Sequence, residues 1–181
     1  MAADASLPGL LLWLLPAMFA LHDAEEALFL PPWLRRNREF LARRFPRLSR
    51  RLLPHMEGIT PVKFAAMAAE ELALLLAVTL YATLAGGYYP WLALFLAFGV
   101  HLAVHAAQWI AVGRYLPLAA TSCIGLLCAG WGLHILINSR LFTLREFVFC
   151  GAAGCAAAVV NLLFLHRLAA KSAAFSGRAD C

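Results

Sequence analysis

Five long apolar segments constrain this chain more than any other feature of its sequence. A helix needs roughly 20 apolar residues to cross about 30 Å of hydrocarbon, and five segments are long enough. They cover about residues 7–30, 61–84, 90–112, 116–137 and 146–166. With 63% hydrophobic and 14% charged residues, the chain carries more hydrocarbon than a water-soluble domain of this size buries. The sequence therefore predicts an all-α, polytopic membrane helix bundle with five transmembrane helices in a single domain.

The basic residues predict the orientation of the bundle. Nine of the fifteen Lys and Arg lie between Arg35 and Lys63, and four more follow the third or the fifth segment. Only Arg140 and Arg145 fall on the other side. Because cytoplasmic loops of membrane proteins are enriched in Lys and Arg, we expect the N-terminus outside. The 33–60 loop and the C-terminus are then cytoplasmic.

The 33–60 loop has a pattern of its own. Apolar residues from Trp33 to Leu48 recur at helical spacing among eight arginines, with an interruption at Pro46. Such a basic amphipathic stretch favours the cytoplasmic face of the lipid bilayer and anionic lipids, while a plain topology anchor is the simpler interpretation. Nucleic acid is not an expected partner, because both ends of the loop are tethered to the membrane.

Ionisable side chains inside the apolar segments are the candidates for function, because such groups are costly in hydrocarbon. Depth is estimated by counting back from each predicted cytoplasmic end at about 1.5 Å per residue. On this count His22, Glu70 and His105 lie roughly 12–13 Å deep, and Glu26 and Gln108 roughly 7 Å deep. Three helices thus bring polar groups to similar levels in the cytoplasmic half.

Helical periodicity places these groups on shared faces. In the first helix His22, Glu25 and Glu26 follow the spacing i, i+3, i+4, which puts them on one side. In the third helix the spacing i, i+4, i+7 does the same for a second set, His101, His105 and Gln108. In the second helix Glu70 and its neighbour Glu71 diverge by about 100°, so only one of them faces a common centre. Depth favours Glu70.

Imidazole and carboxylate groups at one level suit a divalent metal ion such as zinc, iron or manganese. The predicted ligands are His22, Glu26, Glu70 and His105. Three further residues are expected to support them or to act in acid–base catalysis: Glu25, His101 and Gln108. Two other interpretations stay open, namely a proton-sharing network and polar contacts that only hold helices together.

The cluster favours a metal-dependent membrane enzyme that acts on a lipid-like or apolar small molecule, although the residues do not decide whether the chain is an enzyme at all. An amphiphilic substrate would reach such a site from within the bilayer. The first alternative is a proton- or cation-coupled transporter or binding protein. The second is a structural or accessory membrane subunit.

Several of these residues belong to a pattern that resembles a known family. His22-Asp23-Ala24-Glu25-Glu26 in the first helix and His105-x-x-Gln108 in the third are similar to the HXXEE-domain family of small bacterial integral membrane proteins. Arg114-Tyr115-Leu116-Pro117, leading to Thr121, extends the similarity to the fourth helix. Leu118 follows Pro117 where the family tends to have glycine.

The resemblance implies a multi-pass protein of the bacterial inner membrane. It marks five positions as site residues: His22, Glu25, Glu26, Glu70 or Glu71, and His105. It implies no reaction, because the activity of the family is uncharacterised.

Overall fold

The structure, a computed structural model, describes residues 6–57 and 60–179. Within these residues the chain forms six helices and no strand, which confirms the all-α class. The helices are α1 (Gly9–Arg44), α2 (Pro46–Glu57), α3 (Pro61–Ala85), α4 (Tyr88–Val112), α5 (Ala119–Ser139) and α6 (Leu144–Ala179).

Four helices are long and apolar enough to cross a membrane, which makes the chain a multi-pass membrane protein by the length and composition of its helices. The spanning stretches are Val62–Ala85, Tyr88–Val112, Ala119–Ser139 and Leu144–Leu168. They correspond to the second to fifth predicted segments. Helix α1 is not among them, since Asp23, Glu25 and Glu26 interrupt its apolar half.

Helix α1 continues well past the end that we expected near residue 30. It passes through Pro31 and Pro32 to Arg44 and is about 54 Å long at 1.5 Å per residue. Apolar packing stabilises the part of α1 that continues past residue 30, because Leu30 lies in a second buried cluster with Leu116 and Leu118. Helix α2 begins at Pro46, where the sequence predicts an interruption. Two residues of the predicted loop, 58 and 59, lie outside the described residues.

Helix α4 occupies the centre of the bundle. It packs against α3, α5 and α6, while α1 packs against α2, α3 and α5. Helices α1 and α4 approach each other less closely than either approaches these neighbours. Their apolar halves meet through large buried side chains: Leu11, Leu12, Leu15 and Phe19 of α1, and Trp91, Leu92, Phe95, Phe98 and Leu102 of α4.

One hydrogen bond joins the backbone of α1 to the side chain of α4. The carbonyl of Leu12 faces Pro16 one turn later, and proline has no N–H to donate. The indole N–H of the fully buried Trp91 donates to this carbonyl instead, at 3.1 Å. Trp91 therefore satisfies an acceptor that Pro16 leaves unpaired in the membrane interior, where no water is present to do so.

Glycines allow the outer helices to approach α4 closely. A Cβ at Gly154 of α6 would overlap the backbone carbonyl of Ala93. On α5, a Cβ at Gly125 would press on Leu102, and one at Gly132 would press on Phe95. Small residues at such crossings are typical of membrane helices, which pack by van der Waals contact rather than by hydrophobic exclusion from water.

The turn between α4 and α5 contains a residue in an unfavourable conformation. Helix α4 ends at Gly113, with φ 70°, and Leu118 adopts φ 89°. Such a backbone costs about 1–3 kcal/mol for a residue other than glycine. The side chain of Leu118 is almost fully buried against Leu30 and Leu116, which offsets this cost. The turn sets the start of α5 at Ala119, two residues before Thr121.

Candidate metal centre

Four side chains with metal-ligating atoms converge between α1 and α4. His22 and Glu26 come from α1, and His101 and His105 from α4. Each offers one ligand atom, and all four atoms lie within 4.8 Å of one another. Because both pairs are spaced i, i+4, each helix presents its two groups on one face. Two sequence segments about 80 residues apart thus form one site.

The three imidazoles are packed against one another. The ring centroid of His22 lies 5.2 Å from that of His101 and 5.1 Å from that of His105. The Nε2 atoms of His101 and His105 are 3.1 Å apart. Two nitrogens bound to a single ion at about 2.0–2.1 Å lie roughly 3–3.4 Å apart. The imidazole geometry therefore fits a shared metal ion.

The inner nitrogen of His22 is the least satisfied atom of the site. His22 is fully buried, and its Nε2 has no hydrogen-bond partner among the described residues. Phe98 lies beside it, with ring centroids 6.1 Å apart. Buried polar atoms nearly always have a partner, so an unpartnered nitrogen on a ring that is packed against two other imidazoles suits a position for a bound ion.

The other ring nitrogen of His22 contacts a side chain of α5. Its Nδ1 lies 2.8 Å from the hydroxyl oxygen of Thr121. The same hydroxyl lies 2.5 Å from the Oε2 atom of Glu25, which also accepts the backbone N–H of Thr121 at 3.2 Å. Glu25, which the sequence suggests as a supporting residue, thus contacts Thr121 and reaches His22 only through it.

The outer imidazole of α4 is held within its own helix. The Nδ1 atom of His105 lies 2.9 Å from the Oε1 atom of Gln108, one turn further on. An amide oxygen only accepts, so His105 donates its Nδ1–H to Gln108. Its Nε2 is then the nitrogen with a free electron pair, and it faces His101.

The two glutamates of α3 have different surroundings. The Oε2 atom of Glu70 accepts a hydrogen bond from the amide of Asn161 on α6, at 3.0 Å. Glu71 instead lies near the carboxyl groups of Asp23 and Glu26 on α1. Glu71 is therefore the glutamate of this pair that interacts with the acidic groups of α1, while Glu70 connects α3 to α6.

The structure brings most of the sequence-predicted residues together. His22, Glu26 and His105 belong to the converging group, joined by His101, which was expected to support the ligands. Glu70 is not a member of that group. Sequence reasoning did not assign a role to Thr121, although the family resemblance extends to this residue. Its depth was available from the sequence, but its neighbours were not.

Comparison with known proteins extends to one family. A family model described as "protein of unknown function with HXXEE motif" matches residues 13–131, a stretch that includes all four converging residues and Thr121. No curated protein and no solved structure matches the chain.

Proposed function

Since this chain belongs to the family of proteins with the HXXEE motif, whose function is unknown, we propose a function from its geometry: an integral membrane metalloprotein. Its metal ion is bound by His22, Glu26, His101 and His105. Two observations carry the proposal: four ligand atoms lie within 4.8 Å of one another, and the buried Nε2 atom of His22, one of the four residues, has no partner among the described residues. A bound cation also offsets the cost of holding carboxylates at membrane depth.

The ligand set bears on the identity of the metal. Three imidazoles and one carboxylate complete the tetrahedral shell that Zn²⁺ prefers in structural sites. Iron and manganese accept more ligands, so the same four groups leave positions open for a substrate or water. Bound iron or manganese therefore favours a catalytic role for the site, and bound zinc favours a structural role.

We propose that the protein is a metal-dependent membrane enzyme whose substrate is lipid-like or an apolar small molecule. The supporting observation is the exposure of one side of the site. His101 and Gln108 are exposed at the surface of the bundle, whereas His22 and Thr121 on the opposite side are buried. At the depth expected for this site, an exposed surface of the bundle faces lipid, so an amphiphilic molecule enters laterally.

The proposal includes the topology and location predicted from the sequence. Helix α1 crosses the membrane as a fifth span, because its ionisable groups face α4 and α5 rather than lipid. The N-terminus then lies outside, and the C-terminus lies in the cytoplasm of a bacterial cell, with the bundle in the inner membrane. The basic end of α1 and α2 lies on the cytoplasmic leaflet, where it attracts anionic lipids.

Metal analysis of the purified protein tests the proposal. The full chain, in detergent, is expected to contain close to one equivalent of iron, manganese or zinc by mass spectrometry. His22→Ala and His105→Ala are expected to lose it. His134→Ala is the matched control, because His134 is also a membrane histidine but pairs with Asn138 near the other end of α5. Absence of metal under expression with each of the three ions would contradict the proposal.

A proton- or cation-coupled transporter or binding protein is the second candidate. It is favoured by the closeness of three acidic side chains, Asp23, Glu26 and Glu71, because groups of acidic side chains at membrane depth carry protons in transporters. Uptake into proteoliposomes driven by a pH gradient, and lost in Glu71→Gln, supports this function over the enzyme. A protein with neither metal nor uptake is the structural or accessory subunit.

A further inference from the structure

We propose that Thr121 is a positioning residue that fixes the tautomer of His22, so that the lone pair of Nε2 is presented to the metal ion. The use of the Nε2 lone pair rests on the proposed metal centre. The hydrogen bonds that fix the tautomer do not depend on a metal ion. The inference concerns a residue of α5, a helix that contributes no ligand to the converging group.

The hydroxyl of Thr121 has one hydrogen to donate, and three atoms lie within hydrogen-bonding distance of its oxygen. The Oε2 atom of Glu25 lies at 2.5 Å, the Nδ1 atom of His22 at 2.8 Å and the carbonyl of Leu118 at 3.5 Å. The shortest contact is to a carboxylate oxygen, which is also the strongest acceptor of the three. The hydroxyl hydrogen therefore points to Glu25.

The direction of this bond determines the proton on His22. With its only hydrogen given to Glu25, the Thr121 oxygen is left as an acceptor towards Nδ1. His22 must then carry its proton on Nδ1 and donate it to Thr121. A neutral imidazole has one N–H and one bare nitrogen, so Nε2 is bare. This is the nitrogen that lacks a partner among the described residues, on a ring packed against the other two imidazoles.

The position of Glu25 is itself determined by the backbone of α5. Thr121 is the third residue of α5, and its N–H is one of the first-turn donors that a helix cannot satisfy internally. This N–H donates to the same Oε2 atom that accepts the hydroxyl. The positive end of the helix also favours a negative charge there. Glu25 thus caps α5 from α1 and stays oriented as the acceptor.

Metal-binding histidines commonly donate their second ring nitrogen to a group that sets the tautomer, and loss of that group costs about 10–100-fold in metal affinity. Here the group is a hydroxyl that relays the hydrogen bond to a carboxylate. Thr121→Val keeps the shape of the side chain but removes the hydroxyl, and Thr121→Ser keeps the hydroxyl. Ser122→Ala is the matched control. The Ser122 hydroxyl is buried at the next position of α5 and has no partner in the described part of the chain.

The tautomer of His22 is measured first, in metal-free protein, by nitrogen NMR of the histidine rings. The His22 resonances are identified by their loss in His22→Gln. We expect the Nδ1–H form in wild type, Thr121→Ser and Ser122→Ala, and a shift towards the Nε2–H form in Thr121→Val. An Nε2–H form in wild type, or the same Nδ1–H form in Thr121→Val, would overturn the assignment whether or not the protein binds metal.

The metal affinity is measured next, with Co²⁺ as the probe in full-length protein. We expect Thr121→Val to bind about 10–100-fold more weakly than wild type, with Thr121→Ser and Ser122→Ala close to wild type. Equal affinity of Thr121→Val and wild type contradicts the inference alone, because the metal centre is then intact. Wild-type protein that binds no metal contradicts the proposed function, and the NMR result still decides the role of Thr121.

Discussion

The Nε2 atoms of His101 and His105 face each other at 3.1 Å across one turn of α4. Since His105 gives its Nδ1–H to Gln108, its Nε2 offers an electron pair to whatever lies between the rings. In the absence of an ion, His101 must supply a proton to this contact. With an ion bound, both nitrogens turn electron pairs to it. The two histidines therefore act as one unit.

This relationship predicts non-additive effects of substitution on metal binding. His101→Ala and His105→Ala are each expected to weaken Co²⁺ binding by about 100-fold, at least as much as the loss of a supporting group. The double variant is expected to bind little worse than either single variant, because the first substitution already breaks the pair. Isothermal titration of the purified variants measures this, with His134→Ala as control. Fully additive losses would show that the two rings bind independently.

The hydrogen bond between Trp91 and the Leu12 carbonyl predicts a coupling with Pro16. Trp91→Phe is expected to lower the free energy of unfolding by about 1–3 kcal/mol, because it leaves a buried carbonyl unpaired. In the double variant with Pro16→Ala, the restored N–H of residue 16 takes that carbonyl. The loss should then be smaller than in Trp91→Phe alone. SDS titration measures the unfolding of wild type, the two single variants and the double variant. A coupling energy of zero between the two substitutions would show that Trp91 does not replace the N–H donor that Pro16 lacks.

The close approach of α6 to α4 predicts a difference between two glycines of the same helix. Gly154→Ala is expected to destabilise the protein by about 1–3 kcal/mol, since the new methyl group meets the carbonyl of Ala93. Gly151→Ala is the control, because its Cβ would lie at an ordinary 3.6 Å from Leu96. Thermal unfolding in detergent compares them. Equal stability of the two variants would mean that the helices separate at no cost.

The proposal that α1 is a fifth span predicts that the two termini lie on opposite sides of the membrane. A fluorescent protein fused to the C-terminus should fluoresce in bacteria, and alkaline phosphatase fused there should be inactive. An N-terminal fusion to alkaline phosphatase should be active outside. If both termini report the cytoplasm, α1 does not span and the site lies at the membrane surface.

The basic end of α1 and helix α2 predict retention of anionic lipid. Arg43, Arg47 and Arg50 are exposed there, and each is expected to contribute about 1 kcal/mol to attraction by an anionic leaflet. Replacing all three with glutamine should reduce the anionic lipid that copurifies with the protein, as measured by mass spectrometry. Glutamine at Arg140 and Arg145, on the predicted outer side, is the control. An equal decrease in that control would contradict a cytoplasmic lipid contact.

The sequence predicts the depth of the polar groups in the membrane better than it predicts which side chains they contact. Depth brought His22, Glu70 and His105 to one level, and periodicity placed Glu26 on the same face as His22, because rise per residue and turn geometry are local properties of a helix. They do not determine which helices are neighbours. Glu70 and Glu71 have nearly the same depth, yet one contacts Asn161 of α6 and the other interacts with the acids of α1. That choice depends on how the whole bundle packs.

The end of α1 shows a second limit of the sequence. The apolar segment that ends near Leu30 predicts a helix end there, and the two prolines that follow remove backbone donors. The structure continues the helix, since Trp33 and Leu34 pack beside Leu116 and Leu118 of the turn before α5. A contact across more than 80 residues decides this boundary, and no local pattern reports it. The role of Thr121 was missed for the same reason.

The separation in sequence between the acids of α1 and their partner on α5 has a consequence for biosynthesis. Thr121 follows His22 by 99 residues and Glu25 by 96. At about 5–20 residues per second, a ribosome needs roughly 5–20 s to make the intervening chain. During that time the carboxyl group of Glu25 lacks the N–H and hydroxyl donors that Thr121 supplies in the folded protein. If α1 is the fifth span proposed above, we expect the first helix to be made to be among the last to settle in the bilayer, after α4 and α5.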